Sequence, residues 1–304
     1  MSAVLITGAT GKQGGAVIKT LLSKRAGFEI LAVTRNARSP AAQKLSQMSS
    51  TIKLVEGNLD DPAGIFRTAR SVTSAPIWGV FSVQSIMGKG QDVKAEERQG
   101  KALIDESIKQ GVKFYVYTSV DRGGDASIDN PTDIPHFISK HRIEQHLMEK
   151  TKHGEMDWTI LRPTAFFENL VPGFLGKAFA TSWKVSLKNS KPLQLIAVSD
   201  IGYFGAQAFL EPEKFKGKCY SLAGDELTYD QLAKIFKDKT GKDLPTASET
   251  LCSLFMWLVK EFGYMFRWFR DHGYNANIQE IRKIHPGLKD FAAWLEKDSQ
   301  FMKR

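Results

Sequence analysis

The residues with the clearest chemical potential are Gly8-Ala9-Thr10-Gly11-Lys12-Gln13-Gly14-Gly15, directly after the apolar run Ala3-Val4-Leu5-Ile6-Thr7. Glycines spaced G-x-x-G-x-x-G meet three steric needs. Gly8 lets the chain turn off a strand, Gly11 lets backbone approach a bound group, and Gly14 lets helix and sheet pack closely. A helix expected from Gln13 to Leu22 then aims N–H groups and its positive dipole end at an anion, for which a pyrophosphate is a natural ligand. A glycine-rich turn alone is a weak signal. At the head of a βαβ unit it makes dinucleotide binding the expected function, with Gly8, Thr10, Gly11, Lys12, Gln13 and Gly14 as the contacts.

The second apolar run, Glu29 to Thr34, ends in Arg35-Asn36-Ala37-Arg38, with Lys44 nearby. An NAD(H) site usually carries an acidic residue here to bind the adenosine ribose hydroxyls. A guanidinium instead suits the extra ribose phosphate of NADP(H), which a carboxylate would repel. Arg35 and Arg38 therefore favour NADP(H); the plainer alternative is a pair of exposed arginines on a basic chain. Asn58 and Leu59 follow the third run, Thr51 to Glu56, where an adenine would lie, although Asp61-Pro62 also reads as an ordinary helix start. Val83 and Gln84 close the fourth run, Trp78 to Val83, on the nicotinamide side of the expected crevice.

These residues need a scaffold, and the first half of the chain supplies its pattern. Phe114 to Thr118 and Trp158 to Leu161 are the fifth and sixth strands, and a long helix runs from about Lys94 to Gln110. Near-continuous apolar strands alternating with helices imply an α/β fold with a doubly wound parallel sheet. After Arg162-Pro163 the pattern becomes mixed and mostly helical. The expected division is a Rossmann domain over residues 1–162 and a smaller substrate or partner lobe over 163–304. Ser199-Asp200 is expected to cap a helix to Leu210, which can pack back on the first domain. Lys218 to Leu222 reads as a strand, and Thr228-Tyr229-Asp230-Gln231 as a capping box. Thr250 to Phe269 is the most apolar stretch. It reads first as a core helix or pocket wall, and alternatively as a membrane-surface or homodimer helix.

Composition narrows the classes. The 304 residues are 42% hydrophobic and 25% charged, which argues against a disordered or fibrous chain. The net charge of +9 is spread without a dense basic block, so no direct nucleic-acid binding is expected. No long uninterrupted apolar run predicts a membrane span, and Met1 to Ile6 lacks the pattern of a signal peptide. Cys219 and Cys252 suit a reducing compartment, the cytoplasm or alternatively the nucleus. The histidines show no metal spacing, so no metal site is expected.

The chain resembles the NmrA-like family of atypical short-chain dehydrogenase/reductases. The residues that carry the resemblance are Thr7 to Gly14, Val33-Thr34-Arg35-Asn36, Gln99-Gly100-Lys101, His136 to Lys140, Phe167-Glu168-Asn169-Leu170, Val198 to Gly202 and Trp294-Leu295-Glu296. The resemblance implies that Lys140 contacts the cofactor and that the loop with Phe166, Phe167 and Asn169 lies over the nicotinamide end. Ordinary short-chain reductases carry a tyrosine acid four residues before this lysine; here His136 stands in that place. Residues i and i+4 share a helix face, so His136 and Lys140 are the candidate catalytic pair, with the bland alternative that His136 only packs. Thr118-Ser119, after the fifth strand, is compatible with the serine that polarises a carbonyl in such enzymes, the plainer alternative being a serine common at strand ends.

Three functions are compatible with these residues. The resemblance and the absent tyrosine favour an NADP(H)-binding regulator or redox sensor that engages a protein partner. The alternative is an NADPH-dependent reductase of a small apolar quinone, enal or carbonyl, its pocket lined by aromatics such as Phe166, Phe167, Trp183, Phe255, Trp257 and Phe262. A scaffold without cofactor is the third, and the intact glycine turn argues against it.

Overall fold

The computed structural model describes residues 1–85, 92–188, 191–250, 252 and 260–302. Its larger sheet has the order β3-β2-β1-β4-β5-β6-β9. These strands are β1 (Ser2–Ile6), β2 (Phe28–Thr34), β3 (Ile52–Glu56), β4 (Ile77–Ser82), β5 (Phe114–Thr118), β6 (Asp157–Pro163) and β9 (Lys218–Leu222). The pairs from β3 through β6 are parallel, with β1 between β2 and β4. The chain order therefore reverses between β1 and β4, and such a switch point opens a crevice at the carboxyl ends of the strands. Residues 3–6 of β1 and 114–118 of β5 are almost wholly buried, as the unbroken apolar runs require of strands covered on both faces.

Two compact units can be distinguished. The first comprises Met1–Ser119, Ser139–Arg162 and Ile201–Tyr220, and the second Val120–Ile138, Pro163–Asp200 and Ser221–Arg304. In the first unit, α1 (Lys12–Ser23), α2 (Pro40–Ser46), α3 (Pro62–Val72) and α4 (Val93–Lys109) follow β1 to β4 in turn. The next helix, α5 (Pro135–Lys150), precedes β6. A core of Leu5, Leu31, Val80, Leu103, Tyr115 and Ile160 lies on one face of this sheet. Helix caps agree with local chemistry: Ser39, Asp61 and Asp92 accept hydrogen bonds from Ala42, Gly64 and Ala95 at the starts of α2, α3 and α4.

The second unit holds a small mixed sheet of β7 (Ala165–Phe166), β8 (Leu193–Ile196) and β10 (Asp225–Leu227), with β8 central. Its core gathers Phe167, Trp183, Phe236, Phe266, Phe291 and Trp294. Helices α6 (Phe174–Leu187) and α9 (Tyr229–Thr240) contribute to it; α9 begins at Thr228 with the expected capping box and ends on Gly241 in the left-handed region. Of the apolar stretch singled out in the sequence, residues 251 and 253–259, including Phe255 and Trp257, lie outside the described residues. The described part enters the helix Lys260–Asp271, whose Phe266, Trp268 and Phe269 are buried core.

One local expectation is corrected. The helix expected from a Ser199-Asp200 cap is α7 (Val198–Leu210), so both residues already lie in its first turn. The Val198 N–H at its start donates to Glu168 at 3.1 Å. Asp200 is buried and instead accepts from the Lys289 amide at 2.9 Å and meets His285 Nε2 at 3.0 Å. Ser/Asp chemistry marks a helix start without saying which of several neighbours will do the capping.

Among the described residues no helix is long and apolar enough to cross a membrane. No cluster of three or more His, Cys, Asp or Glu suited to a metal occurs among them either. Cys252 is buried and Cys219 half-buried, and neither forms a disulfide among the described residues.

Candidate functional site

Gly8 and Gly14 of the β1–α1 turn are sterically required, and Gly11 is tightly placed. Gly8 has φ +58°, and a Cβ there would stand 2.6 Å from Val83 Cγ1. A Cβ on Gly14 would lie 2.5 Å from both the Thr7 and Gly8 carbonyl oxygens, and one on Gly11 3.1 Å from Gly8 O. The Gly11 N–H donates to Gly8 O at 2.8 Å, closing the turn. Gly11 is the N-cap of α1 and, having no side chain, caps none of its amides. The first-turn N–H groups of α1 thus open at the carboxyl end of β1, beside an exposed Thr10 and Lys12.

The sequence assigns Thr7 to the first strand and to the motif that follows it, and the structure adds a role for its hydroxyl. Its hydroxyl donates to Phe81 O and Val83 O, at 3.2 and 3.1 Å, and accepts from Val83 N at 2.8 Å. This clamp carries the β1–β4 ladder past the end of β4 and fixes Val83 against Gly8. Gln84 follows, buried at 6% exposure. Its amide nitrogen donates to Ser82 Oγ at 2.8 Å, and its carbonyl oxygen has no partner among the described residues. A buried acceptor in that condition is costly unless something completes it.

Arg35 and Arg38 are exposed at the end of β2, and neither forms an ion pair among the described residues. Their loop is nonetheless held. Asn36 Oδ1 accepts from Arg38 N at 2.8 Å, and Glu56 on neighbouring β3 accepts from Ala37 N at 2.8 Å. Asn58 forms an Asx turn, its Oδ1 accepting from Asp60 N and its Nδ2 donating to Asp60 Oδ2, each at 3.2 Å. Gln99 and Arg98 also donate to Asp60, and these hydrogen bonds hold its carboxyl below the ordinary value. Leu59 is half-buried against the core, while Asn58 lines a small open pocket with Glu56, Asp61, Arg67 and Thr68.

Lys140 lies on α5 with only 6% of its surface exposed. Its Nζ stands 3.2 Å from Glu96 Oε1, reaches Thr118 O at 3.4 Å, and lies 5.7 Å from the centre of the Tyr117 ring. Glu96 is fully buried and also accepts from the Ser139 hydroxyl. Thr118 in turn donates through its hydroxyl to Gln13 Oε1 at 2.6 Å. The structure therefore brings the glycine turn, Val83, Gln84 and Lys140 together at one end of the first unit's sheet, through contacts the sequence does not announce. Ser119 is buried there, its N–H on Leu161 O at 2.7 Å.

The remaining candidates belong to the second unit. His136, half-buried, sits four residues before Lys140 on α5, its ring 6.1 Å from that of Phe137. Phe166 and Asn169 are half-buried, whereas Phe167 is fully buried and stacks on Trp294 at 5.5 Å. The Phe167 ring is thus committed to the core of its own unit.

A doubly wound Rossmann-like sheet with a three-glycine turn after its first strand defines the class. The chain belongs to the NmrA-like family, whose model matches residues 1–295. It is 32% identical to the NmrA-like family domain-containing oxidoreductase ptmS of Penicillium ochrochloron over an alignment 352 positions long, covering 97% of each chain. Among solved structures it is similar to the Citrobacter sp. triphenylmethane reductase complexed with NADP(H), with TM-score 0.74 and 18% identity over 97% of this chain and 99% of that one. It is similar too to NmrA, a negative transcriptional regulator in complex with NAD, with TM-score 0.71 and 16% identity over 98% and 95%. The structural likenesses concern the fold, and they include both a reductase and a regulator.

Proposed function

We propose that this protein binds NADP(H) and transfers hydride to a small apolar acceptor. The observation that carries the cofactor half is the glycine turn after β1 together with Arg35 and Arg38 at the end of the adjacent β2, exposed and outside any ion pair among the described residues. Open amides at the start of α1 suit the pyrophosphate, and two guanidinium groups in a braced loop suit a ribose phosphate. Gln84, with its unsatisfied carbonyl oxygen, and Lys140 are fitted to the nicotinamide-ribose end. When bound, the dinucleotide supplies the hydride.

The name of the Penicillium relative as an oxidoreductase supports turnover. His136 in place of the tyrosine narrows the acceptor. With His136 and not a tyrosine four residues before Lys140 on α5, the best acceptors are those whose reduced form takes its proton from water, such as quinones and enals. A regulator that binds NADP(H) without turnover is the second reading, favoured by the closure of Lys140 into a buried ion pair.

The two readings separate in one assay. Purified protein is given NADPH and a panel of quinones and enals, and oxidation is followed by absorbance. Acceptor-dependent turnover that Lys140→Ala abolishes supports the reductase. Tight NADPH binding with no turnover across the panel refutes it in favour of the regulator.

A further inference from the structure

We infer that Glu96 is a positioning residue for Lys140, setting through it the affinity for the nicotinamide-ribose half of a bound dinucleotide; this rests on the cofactor reading above. Glu96 lies in the first turn of α4 with 0% of its surface exposed. A carboxylate in such a place must be compensated, or its desolvation would be prohibitive. Compensation comes from the Lys140 ammonium, 3.2 Å from Oε1 as an ion pair, from the Ser139 hydroxyl on Oε2, and from the positive end of α4.

The arrangement does more than neutralise charge. An ammonium has three donors in fixed mutual directions. One reaches the Thr118 carbonyl at 3.4 Å, while Glu96 Oε1 draws the ammonium as an ion pair from 3.2 Å and the Tyr117 ring lies 5.7 Å away. A hydrogen bond on one side and an ion pair on the other hold the ammonium in place and narrow the directions left to its remaining donors. A lysine on a flexible stem would otherwise lose considerable side-chain freedom on meeting a ligand, so anchoring it beforehand preserves affinity. Thr118 is also the residue whose hydroxyl holds Gln13 at the start of α1. Lys140 is thereby held in register with the phosphate turn.

A purely structural pair would stabilise the fold without favouring one half of the ligand, and that difference is measurable. Wild type, Glu96→Gln, Lys140→Met and the double variant are titrated with NADPH and with 2′,5′-ADP, its adenine half, following tryptophan fluorescence. Thermal melts accompany each titration. Glu96→Gln keeps the shape and removes the charge. The expected result is NADPH binding weakened about tenfold, the scale of one charged hydrogen bond, with 2′,5′-ADP binding unchanged. The double variant should bind NADPH no more weakly than Lys140→Met alone, because Glu96 acts through the lysine.

Wild-type NADPH affinity in Glu96→Gln, an equal loss of both ligands, or additive effects of the two substitutions would each overturn the inference. Should Glu96→Gln fail to fold, Glu96→Leu with Lys140→Met replaces the pair by apolar groups of similar size. That variant should bind 2′,5′-ADP normally and NADPH weakly; normal NADPH binding overturns the inference. A wild type that binds neither nucleotide refutes the cofactor reading and this inference together. A wild type that binds both, with the variants unaffected, refutes the inference alone.

Discussion

Gly14 and Arg35 illustrate how differently single residues can matter. Gly14 has no substitute because any Cβ would lie 2.5 Å from two backbone oxygens, which no side-chain rotation relieves. Gly14→Ala should therefore destabilise the first unit by about 1–3 kcal/mol and abolish NADPH binding. A thermal melt and a fluorescence titration check both effects; unchanged melting would contradict the close packing described. Arg35 touches nothing essential to the fold, so its substitution should leave stability intact. Arg35→Asp should weaken NADPH binding by about 10- to 100-fold and NADH binding far less, because a charged hydrogen bond becomes a repulsion. Parallel titrations with the two nucleotides read this directly, and unchanged selectivity would remove the arginine from the phosphate site. The glycine spacing was legible in the sequence because its demand is local and steric, and Arg35 was legible as a charge at the end of β2, the role assigned to it being what the titrations test. Glu96 was not. Its partner is 44 residues distant, and nothing in Ala95-Glu96-Glu97 distinguishes a buried carboxylate from a solvated one.

At the scale of elements, α5 is fastened to its unit by charge as much as by apolar contact. Glu144 and Arg162, on α5 and β6, are almost wholly buried and meet through three hydrogen bonds of 2.7 to 3.2 Å. Glu144→Ala would leave a buried guanidinium without its counterion, and a loss of about 3–5 kcal/mol is expected in a denaturant titration. A loss well under that would mean water reaches Arg162. Thr228→Ala, by contrast, removes a capping box at the exposed start of α9 and should cost about 1 kcal/mol without affecting nucleotide binding. The elements read correctly in advance, β1 to β6, α4 and the α9 cap, are long apolar runs or strong local motifs. Those left unread, β7, β8 and β10, have two to four residues each and exist through pairing with one another. Short strands carry too few alternations to show a period. The α7 start fell to the same limit: the helix begins at Val198, before the Ser199-Asp200 pair expected to cap it, and the Val198 amide is received by Glu168, thirty residues earlier.

For the molecule as a whole, the fold was legible because parallel strands with intervening helices admit few topologies. Function is less determined, since the same fold serves the Citrobacter reductase and the NmrA regulator. The net charge of +9 favours anionic ligands generally, so nucleotide binding must be shown to depend on particular groups and not on overall attraction. Calorimetric titration of the wild-type protein with NADPH and with NADH, at low and at physiological salt, makes that distinction most directly. The account predicts saturable binding at one site, at least about tenfold tighter for NADPH, with the preference persisting at the higher salt. Absence of heat with either nucleotide, or equal affinity for both, would contradict it.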